Sequence, residues 1–488
     1  MINKNLSLIL LFITNLALVL AEEAKKEEEP QPKPKTKFDN ISNKFTYAVY
    51  PILLILLFWG AKFFGNSKWN DGAFSLKQMK AIQGYISVCI MCHHISQKTC
   101  ASWLSADKFV ADGLNLFVNI GFYFVAIFLF CSGYGLYYSF HKKANYLSNG
   151  YFRRRVLPVV LSYYTTGWIF LVARFLMRED IDVKKFFIYF FGLKLSNPHA
   201  WFVVVLPFLY LFFYLSFRFV KRDGMAITTL FFMVFLYLLF GTSLDHNDWL
   251  VRGEWWYNSI SAFPIGVLFA KYQKKVVDHF KKHNILYYIY MVVLFVGMFA
   301  TYKLSAYTKT IFTYYGENDD KGYNMLRRWP CLITEIIACM TFVFFFFFLG
   351  MKIQFGNRFL NFMGTITLEF YLIHGLFLEP FAHTFADATP PIYHVQSVPL
   401  LMLIVFIPAI PSAVLLQKLH KFILGKINGT SKSSSGKTGD NNESKKMEEA
   451  KKEEAKKEVE AAEKEESDKM LVELVVDGDK TDKNETNN

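Results

Sequence analysis

Cysteine is scarce in this chain: six in 488 residues, at positions 89, 92, 100, 131, 331 and 339. They follow neither a metal-ligand spacing nor a disulfide framework, which excludes a zinc module and a cysteine-stapled secreted domain. Cys89 and Cys92 share a helix face inside an apolar run, where a lone pair packs. No Gly-x-Ser-x-Gly is present, so a serine nucleophile elbow is excluded. No internal repeat stands out, as the repeat-built transporters would require. Charged residues make up only 19% of the chain. The formal charge of +13 does not indicate nucleic acid, because the lysines and arginines lie mostly in short loops between hydrophobic runs, where they set membrane orientation.

Apolar and aromatic residues are abundant. The chain is 53% hydrophobic and carries 52 Phe and 27 Tyr. Apolar runs of ~17–25 residues recur, each long enough to cross ~30 Å of hydrocarbon. Open strands cannot satisfy their backbone in lipid, so the expected fold class is all-α, a polytopic membrane helical bundle. Lys4 followed by the apolar run Leu6–Leu20 and by Val-Leu-Ala suggests a signal peptide over 1–21, a retained signal anchor being the alternative. Residues 22–45 are a charged, Pro-containing lumenal linker, in which Asn40 of Asn-Ile-Ser is a candidate glycan acceptor.

Eleven spans are expected, near 46–64, 79–97, 114–140, 156–176, 199–217, 225–241, 256–271, 285–302, 331–350, 362–380 and 398–416. The aromatic segment 186–191 is too short to span and is expected at the interface. The strongest basic clusters then all fall on one side, assigned to the cytosol. This makes the chain a multi-pass protein of an endomembrane or the plasma membrane. Residues 421–488 form a charged, partly helical cytosolic tail with acid-before-base pairs such as Glu448–Lys452.

Two adjacent histidines, His93 and His94, close the apolar run that begins at Gln83. Placing an ionisable side chain at membrane depth costs ~2–4 kcal/mol on insertion scales, so it marks a candidate functional site. At ~100° per residue, Gln83 and His94 lie ~20° apart on one helix face and roughly 16 Å apart along the axis. His93 falls ~80° to the other side, and Lys80 lies ~60° off the Gln83 face one turn earlier. A cationic end toward the cytosol and a deeper imidazole suit acyl transfer from a thioester: coenzyme A phosphates need positive partners, and an acceptor hydroxyl needs a base. Histidines that only hydrogen-bond across the bundle are the structural alternative.

At this point the chain resembles the acyltransferase-3 family of integral-membrane O-acyltransferases, whose first core helix carries an Arg, ten residues and a His. Here LKQMKAIQG precedes the histidine pair, so Gln83 stands at the Arg position and His94 at the His position. FLFCSGYGLYYSF at 128–140, NYLSNGYFRRRVLPVVLSYY, HAWFVVVLPFLYL at 199–211, WWYNSISAFPIGVLFAK and TITLEFYLIHGLF resemble later family segments in order. The resemblance covers roughly 74–420 as a ten-helix acyltransferase core, with the 46–64 span outside it. It implies acyl-CoA, expected to be acetyl-CoA, as co-substrate and no metal. The expected acceptor is a hydroxyl of a carbohydrate or lipid-linked sugar, with membrane lipids as surroundings and no nucleic-acid partner.

The implied roles follow. His94 is the expected base, helped or replaced by His93, with Glu369 or His374 orienting a partner. Lys80, Gln83, Arg153, Arg154 and Arg155 are candidate coenzyme A contacts. Ser132, Tyr134, His199, Trp201 and Glu335 are candidate substrate-binding residues. A Cys100–Cys331 disulfide is conceivable on the lumenal side. Two other function classes stay open: a transporter or flippase using intramembrane His and Glu, and a catalytically lapsed family member, for which Gln83 is the main argument.

Overall fold

The computed structural model describes residues 44–427 except 66, 102–112, 247–248, 251, 313–320, 383–394 and 396. The described residues up to 424 belong to one compact unit, and those of a second unit, 425–427, are helical. The expected signal segment, Asn40 and the tail beyond 427 lie outside the described residues.

The described secondary structure is helical apart from one small ribbon. In chain order it runs α1 (Val49–Phe58), β1 (Lys62–Phe63), α2 (Leu76–Thr99), α3 (Gly121–Lys142), α4 (Tyr151–Leu176), α5 (Val183–Phe190) and α6 (Trp201–Phe219). It continues with α7 (Asp223–Ser243), α8 (Ala262–Lys282), α9 (Asn284–Ile311), α10 (Lys321–Leu349), β2 (Ile353–Gln354), α11 (Arg358–Thr365), α12 (Thr367–Ala382) and α13 (Val398–Ile427). Seven of the described helices (α3, α4, α6, α7, α9, α10 and α13) are long and apolar enough to cross a membrane. The chain is an all-α, polytopic integral membrane bundle.

The expected spans 46–64 and 362–380 differ in form, each for a local reason. The segment 46–64 is helical over the ten residues of α1, about 15 Å at 1.5 Å per residue, well short of the hydrocarbon thickness. It stops where Gly60 takes a positive φ of 69° and turns the chain into β1. β1 pairs antiparallel with β2, Lys62 opposite Gln354 and Phe63 opposite Ile353. The segment 362–380 is two helices, α11 and α12, broken at Ile366. Segment 186–191 falls largely within α5, an eight-residue helix started by Asp182, whose carboxylate accepts from Lys185 N at 2.6 Å.

Burial decides which helix tolerates polar residues. In α3, 78% of the apolar window is buried inside the protein; in α9 only 6% is, so α3 is central and α9 faces outward. α2 is buried on nearly all sides and packs against α3, α11 and α12. Its polar side chains therefore meet protein, which is where membrane bundles accept them. α3 and α8 pack most closely. A Cβ on Gly133 would come within 2.1 Å of the Phe263 carbonyl, and one on Gly266 within 2.2 Å of the Phe130 carbonyl. Small residues let membrane helices approach backbone to backbone in this way. The Ser-Gly-Tyr segment at 132–134 is thus a close-packing point as well as a source of polar groups.

Near the ribbon, Lys352 is buried, which pulls its ammonium down to about 8. It is still cationic at neutral pH. Its Nζ donates to Lys68 O at 2.9 Å and Gly65 O at 3.3 Å and stands 3.6 Å from the Trp69 ring centre. A cation over an indole face contributes ~0.5–2 kcal/mol. This clamps the loop before α2 to the turn after α10.

Candidate active site

The helices bring three of the expected histidines together. His94 on α2 places Nδ1 2.7 Å from Nε2 of His374 on α12. The two rings lie parallel within 5°, with centroids 4.9 Å apart. His199, just before α6, puts its ring centroid 4.2 Å from that of His94. All three side chains are buried.

Hydrogen-bond chemistry sets the tautomers. His374 Nδ1 lies 3.0 Å from the Phe370 carbonyl, an oxygen that only accepts. Nδ1 therefore carries the proton and donates, which leaves Nε2 of a neutral His374 with a lone pair. His94 Nδ1–H must then donate to that lone pair. The remaining lone pair of His94 sits on Nε2, which forms no hydrogen bond with the described residues. A second chain runs through His199, whose Nε2–H donates to Glu379 Oε1 at 2.9 Å. Glu379 is fully buried, and Lys98 Nζ is 3.5 Å from the same oxygen.

The backbone around His199 is tied on every side. His199 N–H donates to Asn197 Oδ1 at 3.1 Å, and Asn197 Nδ2 donates to Leu372 O at 2.9 Å. Tyr371 donates its hydroxyl to the His199 carbonyl. Arg174 Nε donates to Ser196 O at 2.7 Å while its Nη1 meets Glu179 at 2.5 Å. The ring itself lies over Gly375, where an added Cβ would stand 2.2 Å from His199 Cδ2. Gly375→Ala is thus expected to displace the imidazole and to cost ~1–3 kcal/mol from overpacking. Thermal unfolding in detergent reads the cost, and a changed histidine proton spectrum reads the displacement.

The other expected residues divide among separate places. His93 Nδ1 donates to the Phe117 carbonyl at 2.6 Å, and its ring fills the space beside Gly121, where a Cβ would fall 2.1 Å from Nε2. Glu369 does not join the histidines; its Oε1 is 3.6 Å from His420 Nδ1, and His420 also contacts Ser162 at 3.2 Å and Thr165 at 2.7 Å. Lys80 lies within electrostatic reach of Glu369, and Gln83 lies beside the Cys131 thiol. Lys80 and His94 are fourteen residues apart on α2, ~21 Å along its axis.

Ser132 Oγ is 2.9 Å from Tyr210 OH, and Tyr134 donates to Gln273. Arg154 donates to Tyr146 O at 3.1 Å, Arg155 donates to Tyr146 OH at 2.6 Å, and the exposed Arg153 lies beside them at the start of α4. Trp201 opens α6, two residues from His199. Glu335 belongs to another cluster, with Oε1 2.7 Å from Lys309 Nζ, which also pairs with Glu254 at 3.2 Å. The Cys100–Cys331 bridge is not formed: both are buried free thiols, Cys100 set against Thr99 Oγ1 at 3.4 Å. Among the described residues no group of three His, Cys, Asp or Glu side chains is arranged to hold a metal ion.

Sequence reasoning missed Glu379, Lys98 and Gly375. A signal was present: Lys98 is four residues after His94 and Glu379 four after Gly375, so each pair shares a helix face. No local pattern says that the two faces meet.

A family model described as an acyltransferase domain matches residues 76–418, opening on the first residue of α2 and running into α13. Comparisons with curated proteins and with solved structures find no match. The matched stretch covers most of the chain and includes all three histidines and their partners, so the chain belongs to the acyltransferase-3 family and is a membrane acyltransferase.

Proposed function

We propose that the protein moves an acyl group, acetyl in the simplest case, from an acyl-CoA on the cytosolic side to a hydroxyl of a carbohydrate or lipid-linked acceptor. His94 is the general base. The observation that carries this reading is the tautomer chain from the Phe370 carbonyl through His374 to His94. It presents a basic lone pair at His94 Nε2 in a buried site, and a neutral imidazole suits proton transfer near neutral pH. His94 takes the hydroxyl proton as the oxygen attacks the thioester carbonyl. The C–O bond forms, the C–S bond breaks, and the thiolate leaves and is protonated.

Lys80, Gln83 and Arg153–Arg155 supply the phosphate contacts in this reading. Coenzyme A separates its phosphates from its thioester by an extended pantetheine arm, and the ~21 Å between Lys80 and His94 along α2 is in keeping with such a donor. Arg155 and Arg154, oriented around Tyr146, offer planar donors of the kind that grip phosphate oxygens. The tail beyond α13 is cytosolic in the same topology.

The test is purified protein in lipid nanodiscs with acetyl-CoA and a panel of sugar and polyol acceptors. Release of free coenzyme A thiol, together with acceptor-dependent acetyl incorporation by mass spectrometry, is the expected result. Substrate flux across liposomes without acetyl-CoA binding would replace this reading by a transporter or flippase. Acetyl-CoA binding without turnover would replace it by a lapsed member of the family.

A further inference from the structure

We propose that His199, hydrogen-bonded to the Glu379 carboxylate, is the general acid that protonates the leaving thiolate, so that His94 and His199 divide the two proton transfers between them. The inference rests on the acyl-transfer reading above. Acyl transfer from a thioester needs a proton removed from the acceptor hydroxyl and a proton delivered to sulfur. One imidazole can do both in sequence. Two imidazoles held in opposite protonation states can do both in one encounter.

The surroundings of the two rings differ in the required direction. Glu379 Oε1 accepts directly from His199 Nε2 at 2.9 Å and is fully buried, so its negative charge acts on the ring without water to screen it. A carboxylate in that position holds the far nitrogen of the imidazole in place and stabilises the imidazolium, the role it has in hydrolase triads. Among the described residues His94 bonds to no carboxylate. Its Nδ1–H goes to neutral His374, so the ring is arranged as an acceptor at Nε2.

The charged and titratable groups around His199 are His93, His94 and Lys98 from α2 and Tyr371, His374 and Glu379 from α12. Glu379 is the carboxylate that faces this cluster, with Lys98 Nζ 3.5 Å from its Oε1. Of the three imidazoles, His199 is the one bonded to the carboxylate. Its Nδ1–H is then the donor available to the reaction. After one turnover His94 holds the proton from the hydroxyl and His199 has lost one to sulfur. Transfer between the rings, 4.2 Å apart, restores the starting state. Overall, one O–H and one C–S bond are broken and one C–O and one S–H bond are formed.

The site is also built to hold this ring. Gly375 makes room for it, and Asn197 and Tyr371 fix the backbone on either side. A side chain that only filled space would not need a glycine opposite and a buried carboxylate behind it.

Leaving-group chemistry supplies the test. Glu379→Gln and His199→Gln are compared with wild type and His94→Ala on acetyl-CoA and on S-(4-nitrophenyl) thioacetate, whose aryl thiolate leaves without protonation. Glu379→Gln and His199→Gln are expected to lose ~10²-fold in thiol release from acetyl-CoA with acetyl-CoA binding intact, and to regain most of that loss with the aryl thioester. His94→Ala loses rate with both donors. Equal losses of the Gln variants on the two donors, or full activity on acetyl-CoA, would overturn the assignment of His199. Absence of thiol release from either donor by the wild type would instead sink the acyl-transfer reading. Should Glu379→Gln fail to fold, as judged by size exclusion, His199→Gln carries the comparison, since it keeps an amide to meet Glu379.

Discussion

His94→Ala is expected to lower acyl transfer by ~10³-fold while leaving acetyl-CoA binding within a factor of two or three, because a positioned general base contributes ~10²–10⁴ to rate and little to ground-state binding. The substitution removes Nε2, and with it the basic lone pair that the Phe370–His374–His94 chain presents. Fold is largely retained, since α2 is held by its other buried residues, among them Ile82, Ile86 and Ile90. His374→Phe keeps a ring of similar shape but cannot accept from His94 Nδ1, so either tautomer of His94 becomes available. A loss of ~10–100-fold is expected there, the usual cost of removing a partner that orients a working imidazole. Initial rates of thiol release, set beside acetyl-CoA dissociation constants, check both. A His94→Ala protein with wild-type turnover would remove His94 from the mechanism.

The largest stability effect is expected at Lys309. Its ammonium lies 2.7 Å from Glu335 Oε1 and 3.2 Å from Glu254 Oε2, with Glu335 fully buried in α10. Among the described residues Glu335 Oε2 has no hydrogen-bond partner, so the ammonium is the main compensation for that carboxylate. Lys309→Met keeps the volume of the side chain and strands the charge, at a cost of ~3–5 kcal/mol. Replacing both, Lys309→Met with Glu335→Met, recovers most of the loss, because two well-packed apolar groups are often no worse than a buried pair. Unfolding in detergent on the single and double variants gives the coupling. Equal stabilities of Lys309→Met and wild type would show that Glu335 is not held as a charge.

The helices of α2, α3, α4, α6, α7, α9, α10 and α13 were each legible from runs of apolar residues, because a helix in lipid must satisfy its backbone within itself and reveals its length through its side chains. Departures came where local context outweighed hydropathy. Gly60 ends α1 early, and the chain breaks at Ile366 between α11 and α12. The site was legible in part. His94 stood out as an ionisable group in an apolar run, and His374 through the segment TITLEFYLIHGLF. Glu369, expected to orient a partner, lies five residues before His374 and turns to His420, while Glu379, which the sequence did not single out, lies five residues after it and turns to His199.

By itself the sequence determined what is local: a membrane bundle of α-helices, the family to which residues 76–418 belong, and the helix bearing His94. Only the tertiary structure decided the partners. His94 and His374 are separated by 280 positions, and His199 and Glu379 by 180. Periodicity reports which residues share a face of one helix, and carries no information about which face of another helix it meets. That choice is made by packing, by a glycine at 375 that admits one imidazole and a glycine at 121 that admits another, and by the cost of leaving a buried polar group without a partner.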